Sequence, residues 1–245
     1  MNATCLNCNE NTNRNYCDFC GQKTSTHRFS LKHFFLHDFV HGIFHIDKGF
    51  LFTIKELFTR PGHSIREYIQ GKRARHFNYF ATIILLLTIG YFLSKAAKVE
   101  LSQLYQQGSM DGLTKVLKEY SKITIFLGVP VYALSSYVLF RKSRQNYTEN
   151  LVINLFMLCG NLVISFILKV FMVITDDIPF LQNLNVVVSA VALLYIFIFF
   201  YQYFSVFGYA KISLIIRVLT VVMLFAVIKQ STNNLLNEIG LRYVH

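Results

Sequence analysis

The sequence predicts an α-helical membrane protein: about five transmembrane helices preceded by a small zinc ribbon and an amphipathic interfacial helix. Three observations predict it. Of 245 residues, 53% are hydrophobic and only 15% charged, against about 45–50% and about 25% in soluble globular chains. Five long segments are almost free of charge. Four cysteines stand in two close pairs near the N-terminus. With 3 Pro and 12 Gly, disordered, collagen-like and turn-rich β readings fall away, and a soluble enzyme is disfavoured. The expected organisation is a zinc ribbon over 1–26, a cytoplasmic interfacial segment over 27–76, a five-span domain over 77–230 and a tail over 231–245.

The ribbon rests on Cys5-x2-Cys8 and Cys17-x2-Cys20. Two such knuckles can converge on one tetrahedral zinc. Gly21 suits the tight turn after the last ligand. Four thiolates close the coordination sphere, so the metal is expected to be structural, supplying folding energy that so short a segment cannot obtain from a core. The competing reading is a pair of disulfides. Residues 1–28 are polar and carry no apolar signal region, so an exported, oxidising setting is not expected. Cys159 stands alone in a span and reads as a packing residue.

Seven of the eight histidines precede the first span. His33, His37, His41 and His45 recur every fourth residue and occupy an arc of about 120° at about 100° per residue. Phe35, Leu36, Phe39, Val40, Ile43 and Ile46 fill the opposite arc, and Ser30 can cap the helix. The histidine face has three readings: an interfacial helix contacting headgroups and neighbouring helices, a second metal site, or a pH sensor. Membrane di-iron oxygenases share His-x3-His but add further His boxes, which this chain lacks.

The apolar stretch Gly49–Arg60 is expected to break at Pro61-Gly62. Ser64-x-x-Glu67 reads as a capping box that starts a short helix, and Gly71 reads as its end. Arg66, Lys72, Arg73 and Arg75 then lie just before the first span, placed to meet anionic lipid headgroups or a phosphate.

The spans are expected at Phe77–Ser94, Ile123–Phe140, Leu151–Ile174, Leu184–Phe207 and Ile212–Ile228, each of a length that crosses about 30 Å of hydrocarbon. Lys72, Arg73, Arg75, Arg141, Lys142, Arg144 and Lys211 all fall inside if the N-terminus is cytoplasmic. Lys95, Lys98, Lys115, Lys118 and Lys122 vote the other way. Lys169 and Arg217, near span ends, read as snorkelling or as part of an ion path. Tyr79, Tyr91, Tyr195, Tyr201 and Tyr209 read as interfacial anchors.

On Cys5, Cys8, Cys17 and Cys20 with Gly21-Gln22, and on His37–Arg73 ending in Gly-Lys-Arg, the sequence resembles an uncharacterised family of small bacterial multi-pass membrane proteins with an N-terminal zinc ribbon. The resemblance covers about the first 80 residues. It implies membrane location and metal binding, but no activity.

The expected function is a non-enzymatic inner-membrane protein with a cytoplasmic zinc-ribbon platform for a protein or lipid partner. Its expected partners are anionic lipids and a membrane protein or a second copy of the chain. Alternatives are a small transporter or lipid-handling protein, and a metalloenzyme built on the four histidines. No catalytic residue is assigned. Nucleic acid is an unexpected partner, because only Arg14 and Lys23 lie near the ribbon, beside Glu10 and Asp18.

Overall fold

The computed structural model describes residues 3–31, 34, 49–104 and 128–243. A two-stranded antiparallel ribbon opens it, β1 (Ala3–Thr4) against β2 (Asn11–Thr12), with Ala3 opposite Thr12. Among the described residues seven α-helices follow: α1 (Gly49–Thr59), α2 (Pro61–Ile69), α3 (Tyr79–Ala96), α4 (Gly128–Leu139), α5 (Tyr147–Ile174), α6 (Ile178–Phe204) and α7 (Lys211–Tyr243). Four of them, α3, α5, α6 and α7, are long and apolar enough to cross a membrane. Four of the five expected spans are therefore present. The other, Ile123–Phe140, is described only from Gly128 onward. Its α4 portion would be about 18 Å long at 1.5 Å per residue.

Each start has a local cause. Asn78 caps α3 by accepting from the backbone N–H of Phe80 at 2.8 Å. At α5, Asn146 Oδ1 accepts from the Glu149 N–H at 2.8 Å, and Glu149 Oε2 accepts from the Asn146 N–H at 2.8 Å. This is a reciprocal capping box. Asp177 accepts from the Phe180 N–H and starts α6.

The break at Pro61-Gly62 is present, but the helix after it begins at Pro61 rather than at Ser64. Proline is already shaped for the first helical position, so the chain restarts at once. Ser64 therefore lies inside α2, fully buried. Gly71 ends the helix as expected, at φ +113°. Its N–H reaches the Tyr68 carbonyl and that of Lys72 reaches Glu67, the bond pair of a Schellman turn.

α5 is the centre of the bundle, packed against α3 on one side and α6 on the other. Close approach requires glycine at two places. A Cβ on Gly160 would stand 2.1 Å from the Tyr195 hydroxyl, and one on Gly62 would stand 2.3 Å from the Phe199 carbonyl oxygen. Short α2 thus lies directly on the last turns of α6. Tyr79 and Tyr195 are core residues rather than interfacial anchors: Tyr79 is enclosed by Phe34, Phe80 and Phe156. The ring of Phe140 stacks on Phe204 with centroids 3.7 Å apart.

Several polar groups inside the bundle engage one another or a backbone carbonyl, while the Asn154 and Asn161 amide oxygens and the Tyr195 and Tyr209 hydroxyls have no partner among the described residues. Ser136 donates to Asn150 Oδ1 at 2.9 Å, and Asn154 donates to Ser136 at 3.0 Å. Lys169 donates to the Gly90 carbonyl at 3.1 Å and Arg217 to the Leu139 carbonyl at 2.5 Å. Helix α7 runs well past Ile228, through residues expected to form a tail. Within that extension Arg242 pairs with Glu238, and Gln230 donates to Asn234 at 3.0 Å.

Candidate metal centre and its docking on the bundle

The two knuckles are built alike. In the first, the Cys5 N–H bonds the Glu10 carbonyl and the Asn9 N–H bonds Cys5. In the second, the Cys17 N–H bonds Gln22 and the Gly21 N–H bonds Cys17, all at 2.9 Å. Asn9 at φ +63° and Gly21 at φ +71° hold the same place in each turn. Asparagine is a side chain that tolerates this left-handed position. The glycine was legible in the sequence; its asparagine counterpart was missed, although the equal offset from the first cysteine of each pair marks it.

The fold brings Cys5, Cys8, Cys17 and Cys20 together with their sulfurs within 4.8 Å of one another. All four are free thiols. The contacts Cys5–Cys20 and Cys8–Cys17 are 3.5 Å, far beyond the roughly 2.05 Å of a disulfide. Bonds of about 2.3 Å to one tetrahedral ion place sulfurs about 3.8 Å apart. The donor set therefore fits a thiophilic metal ion such as zinc.

The thiols share charge unequally. At Cys8 the Glu10 backbone hydrogen bond acts downward, but burial and the thiols of Cys17, Cys20 and Cys5 push it up to about 12. At Cys20 burial acts upward, but hydrogen bonds from the Gln22 backbone, Asn7, Cys5 and Cys8 bring it down to about 7. Four adjacent thiolates repel each other, and a bound dication is what permits all of them to ionise.

The ribbon is bound to the bundle by side chains from the strap that follows it. Arg28 grips Glu149 with Nε and Nη2, at 2.6 and 2.9 Å, and donates to the Arg144 carbonyl at 2.6 Å. The Glu149 side chain is only 3% exposed, so the guanidinium is what compensates its buried charge. Asn146 donates to the Phe29 carbonyl at 2.9 Å, and Phe29 stacks on Tyr68. Gln22 accepts from the Arg73 N–H at 3.1 Å. Leu6 lies directly over Gly71, its Cδ1 2.7 Å from where a Cβ would stand.

The four cations expected to face lipid occupy different places. Arg66 reaches into the fold and donates to the carbonyls of Gln202 and Tyr203 at 2.9 and 3.2 Å, the open end of α6. Arg73 donates to Tyr68 and His27 carbonyls, both at 3.2 Å, and covers the Phe29 ring at 3.9 Å. Lys72 and Arg75 are exposed. His33, His37, His41 and His45 lie outside the described residues. No signal in the sequence marked the partners of Arg28 and Arg73. The Asn146-x-x-Glu149 spacing, however, is a readable capping signature.

Residues 47–89 match DUF3667, a family of proteins of unknown function. The matched segment holds Glu56, Arg60, Ser64, Arg66, Arg73 and His76, and begins after the cysteine cluster. The search of curated proteins and that of solved structures found no match. The match agrees with the expected resemblance over this segment, without stating a source or a number of spans.

Proposed function

We propose that this is a non-enzymatic integral protein of a bacterial inner membrane, with its N-terminus in the cytoplasm and a structural zinc ion in the ribbon. The ribbon serves as a docking platform for a partner protein, and anionic lipid surrounds the anchor. One observation carries the reading: the four-cysteine cluster sits on the same end of the bundle as the 141–144 loop, tied there by Arg28, Glu149 and Arg144. That end also bears Lys72, Arg73, Arg75 and Lys211, which positive-inside bias assigns to the cytoplasm. The ribbon presents Phe19, 79% exposed, and Tyr16, 59% exposed, aromatic residues of the kind that anchor interfaces.

Metal analysis and crosslinking test this. The expected content is one zinc per chain, lost in Cys17→Ser. A photo-crosslinker at position 19 is expected to capture a discrete partner in cells, and to lose it in Cys17→Ser. A chain that crosslinks only to itself or to lipid would end the partner reading. A second metal, removed by His37→Ala, would instead favour the histidine metalloenzyme.

A further inference from the structure

Between the ribbon and the bundle lies a cleft of about 300 Å³, lined among others by His27, Arg28, Gln70, Arg73, Gln145 and Glu149. That volume is at the lower end of small-ligand pockets. The strap after the ribbon, the Schellman turn after α2 and the loop entering α5 meet around it, joined by Leu6 of the first knuckle and Phe207 after α6.

The polar groups of this cleft are held in place by the protein itself. Arg28 uses Nε and Nη2 on Glu149 and the Arg144 carbonyl. Arg73 uses Nε and Nη2 on the Tyr68 and His27 carbonyls. In both, Nη1 takes no part in these bonds. A guanidinium already fixed by two of its nitrogens loses little further freedom when a ligand meets the third. Both Glu149 oxygens are engaged, Oε1 by Arg28 and Oε2 by Arg28 and the Asn146 N–H. Arg28 therefore balances Glu149, the one carboxylate lining the cleft, and Arg73 is left unbalanced among the described residues. Lys72 and Arg144, each between two lining residues in the chain, are exposed and add positive potential.

One acceptor is also present. Gln145 Nε2 donates to the Tyr203 hydroxyl, while its buried Oε1 has no partner among the described residues. Buried acceptors are normally satisfied, so this one calls for a donor. Cationic donors beside one acceptor match a phosphate ester that carries a nearby hydroxyl or ammonium group.

We infer that the cleft between ribbon and bundle binds such a phosphate ester, with Arg28 and Arg73 on the phosphate and Gln145 on the adjoining donor. The chemistry is shared by a phospholipid headgroup and by a free glycerol phosphate. The inference deepens the proposed placement of the ribbon end at a membrane surface, but the binding itself does not require that orientation.

The test uses the full-length, zinc-loaded protein. Binding of glycerol 3-phosphate is measured in detergent by calorimetry. Retention of phosphatidylglycerol against phosphatidylcholine is measured in nanodiscs by native mass spectrometry. At least one anionic probe is expected to bind; glycerol 3-phosphate alone identifies a free ester, and phosphatidylglycerol alone identifies a headgroup. Arg73→Gln and, separately, Gln145→Met are each expected to weaken binding about tenfold or more. Arg14→Gln, on the ribbon but outside the cleft, leaves it unchanged. Zinc content checks that each variant retains its ribbon, and Gln145→Met keeps the test decisive if Arg73→Gln loses it. Binding of neither probe by the wild type, or binding equal in wild type and Gln145→Met, overturns the inference. A wild type that yields no partner crosslink at position 19 while cleft binding is intact would refute the docking reading alone.

Discussion

His76 stands where a hydroxyl, two carboxylates and two aromatic rings meet. Its Nε2 is 2.9 Å from Ser64 Oγ, and the rings of Phe52 and Tyr68 lie edge-on at 5.2 and 5.3 Å. Burial holds the imidazole below its usual value, although Glu56 and Glu67 pull it upward. The folded ring therefore stays neutral where an unfolded one, titrating near 6.5, already takes a proton. The unfolded chain binds more protons in that window, so stability rises with pH. The contribution is complete above about 6.5 and is lost as pH falls through the lower folded value. Melting temperature in detergent is expected to drop as pH falls below about 6.5, and His76→Gln should flatten most of that slope. His63, also depressed by burial and by Arg66 and Arg60, leaves a residual slope of the same sign. Gly62 gives a second prediction at this scale. Its Cβ would enter the backbone of α6, so Gly62→Ala should cost about 1–3 kcal/mol through overpacking, read as a lowered unfolding midpoint.

Among the elements, a recurring device is a cation placed on the open end of a neighbouring helix. The final carbonyls of a helix have no intrahelical partner and carry its negative end. Arg66 bonds those of α6, Arg217 the last residue of α4, and Lys98 the Ile174 carbonyl ending α5 at 2.7 Å. In and beside a membrane, water is a poor substitute. Arg66→Ala is therefore expected to destabilise by about 1.5–3 kcal/mol, the scale of hydrogen bonds from a charged donor. Arg66→Lys should recover only part, because one ammonium nitrogen cannot hold the α6 carbonyls as Nη1 does and also reach His63 Nδ1 as Nη2 does. Denaturant titration of the purified protein followed by tyrosine fluorescence would measure both. Equal midpoints for wild type and Arg66→Ala would mean that the α6 end is satisfied without the guanidinium.

At the level of the whole molecule, the ribbon and the bundle obtain their stability from different sources. The bundle has an aromatic core in which Phe140, Phe199, Phe200 and Phe204 are all fully or nearly fully buried. The ribbon has four thiols and two short strands, and so small a unit has little core of its own; a metal held by the thiols would supply its order. Removing that metal with a chelator is expected to release the ribbon while the helices persist. Limited proteolysis should then cut within residues 5–30, with little change in far-ultraviolet circular dichroism. Glu149→Gln should make the strap easier to cut even with metal present, because it removes the charge that Arg28 grips. Unchanged digestion in both cases would show that the ribbon is held by something other than its metal and its strap.

Much of this architecture was legible in residue patterns. Uninterrupted apolar runs specified the four long helices, since a chain in hydrocarbon must satisfy its backbone internally. The paired Cys-x2-Cys spacing specified the ribbon, because metal geometry acts over a few residues. The turn at Gly71 was readable for the same local reason. The start of α2 was misread because Ser64-x-x-Glu67 and Pro61 both signal a helix start, and the proline comes first. What no local pattern carried were the partners of the charged residues. Arg28 and Glu149 are 121 positions apart, and Arg66 finds its acceptors 136 and 137 positions away. Hydropathy and spacing decide where a helix or a knuckle forms. Only the packing of α2 on α6, and of the strap on α5, decides which cations remain exposed and which line the cleft under the ribbon.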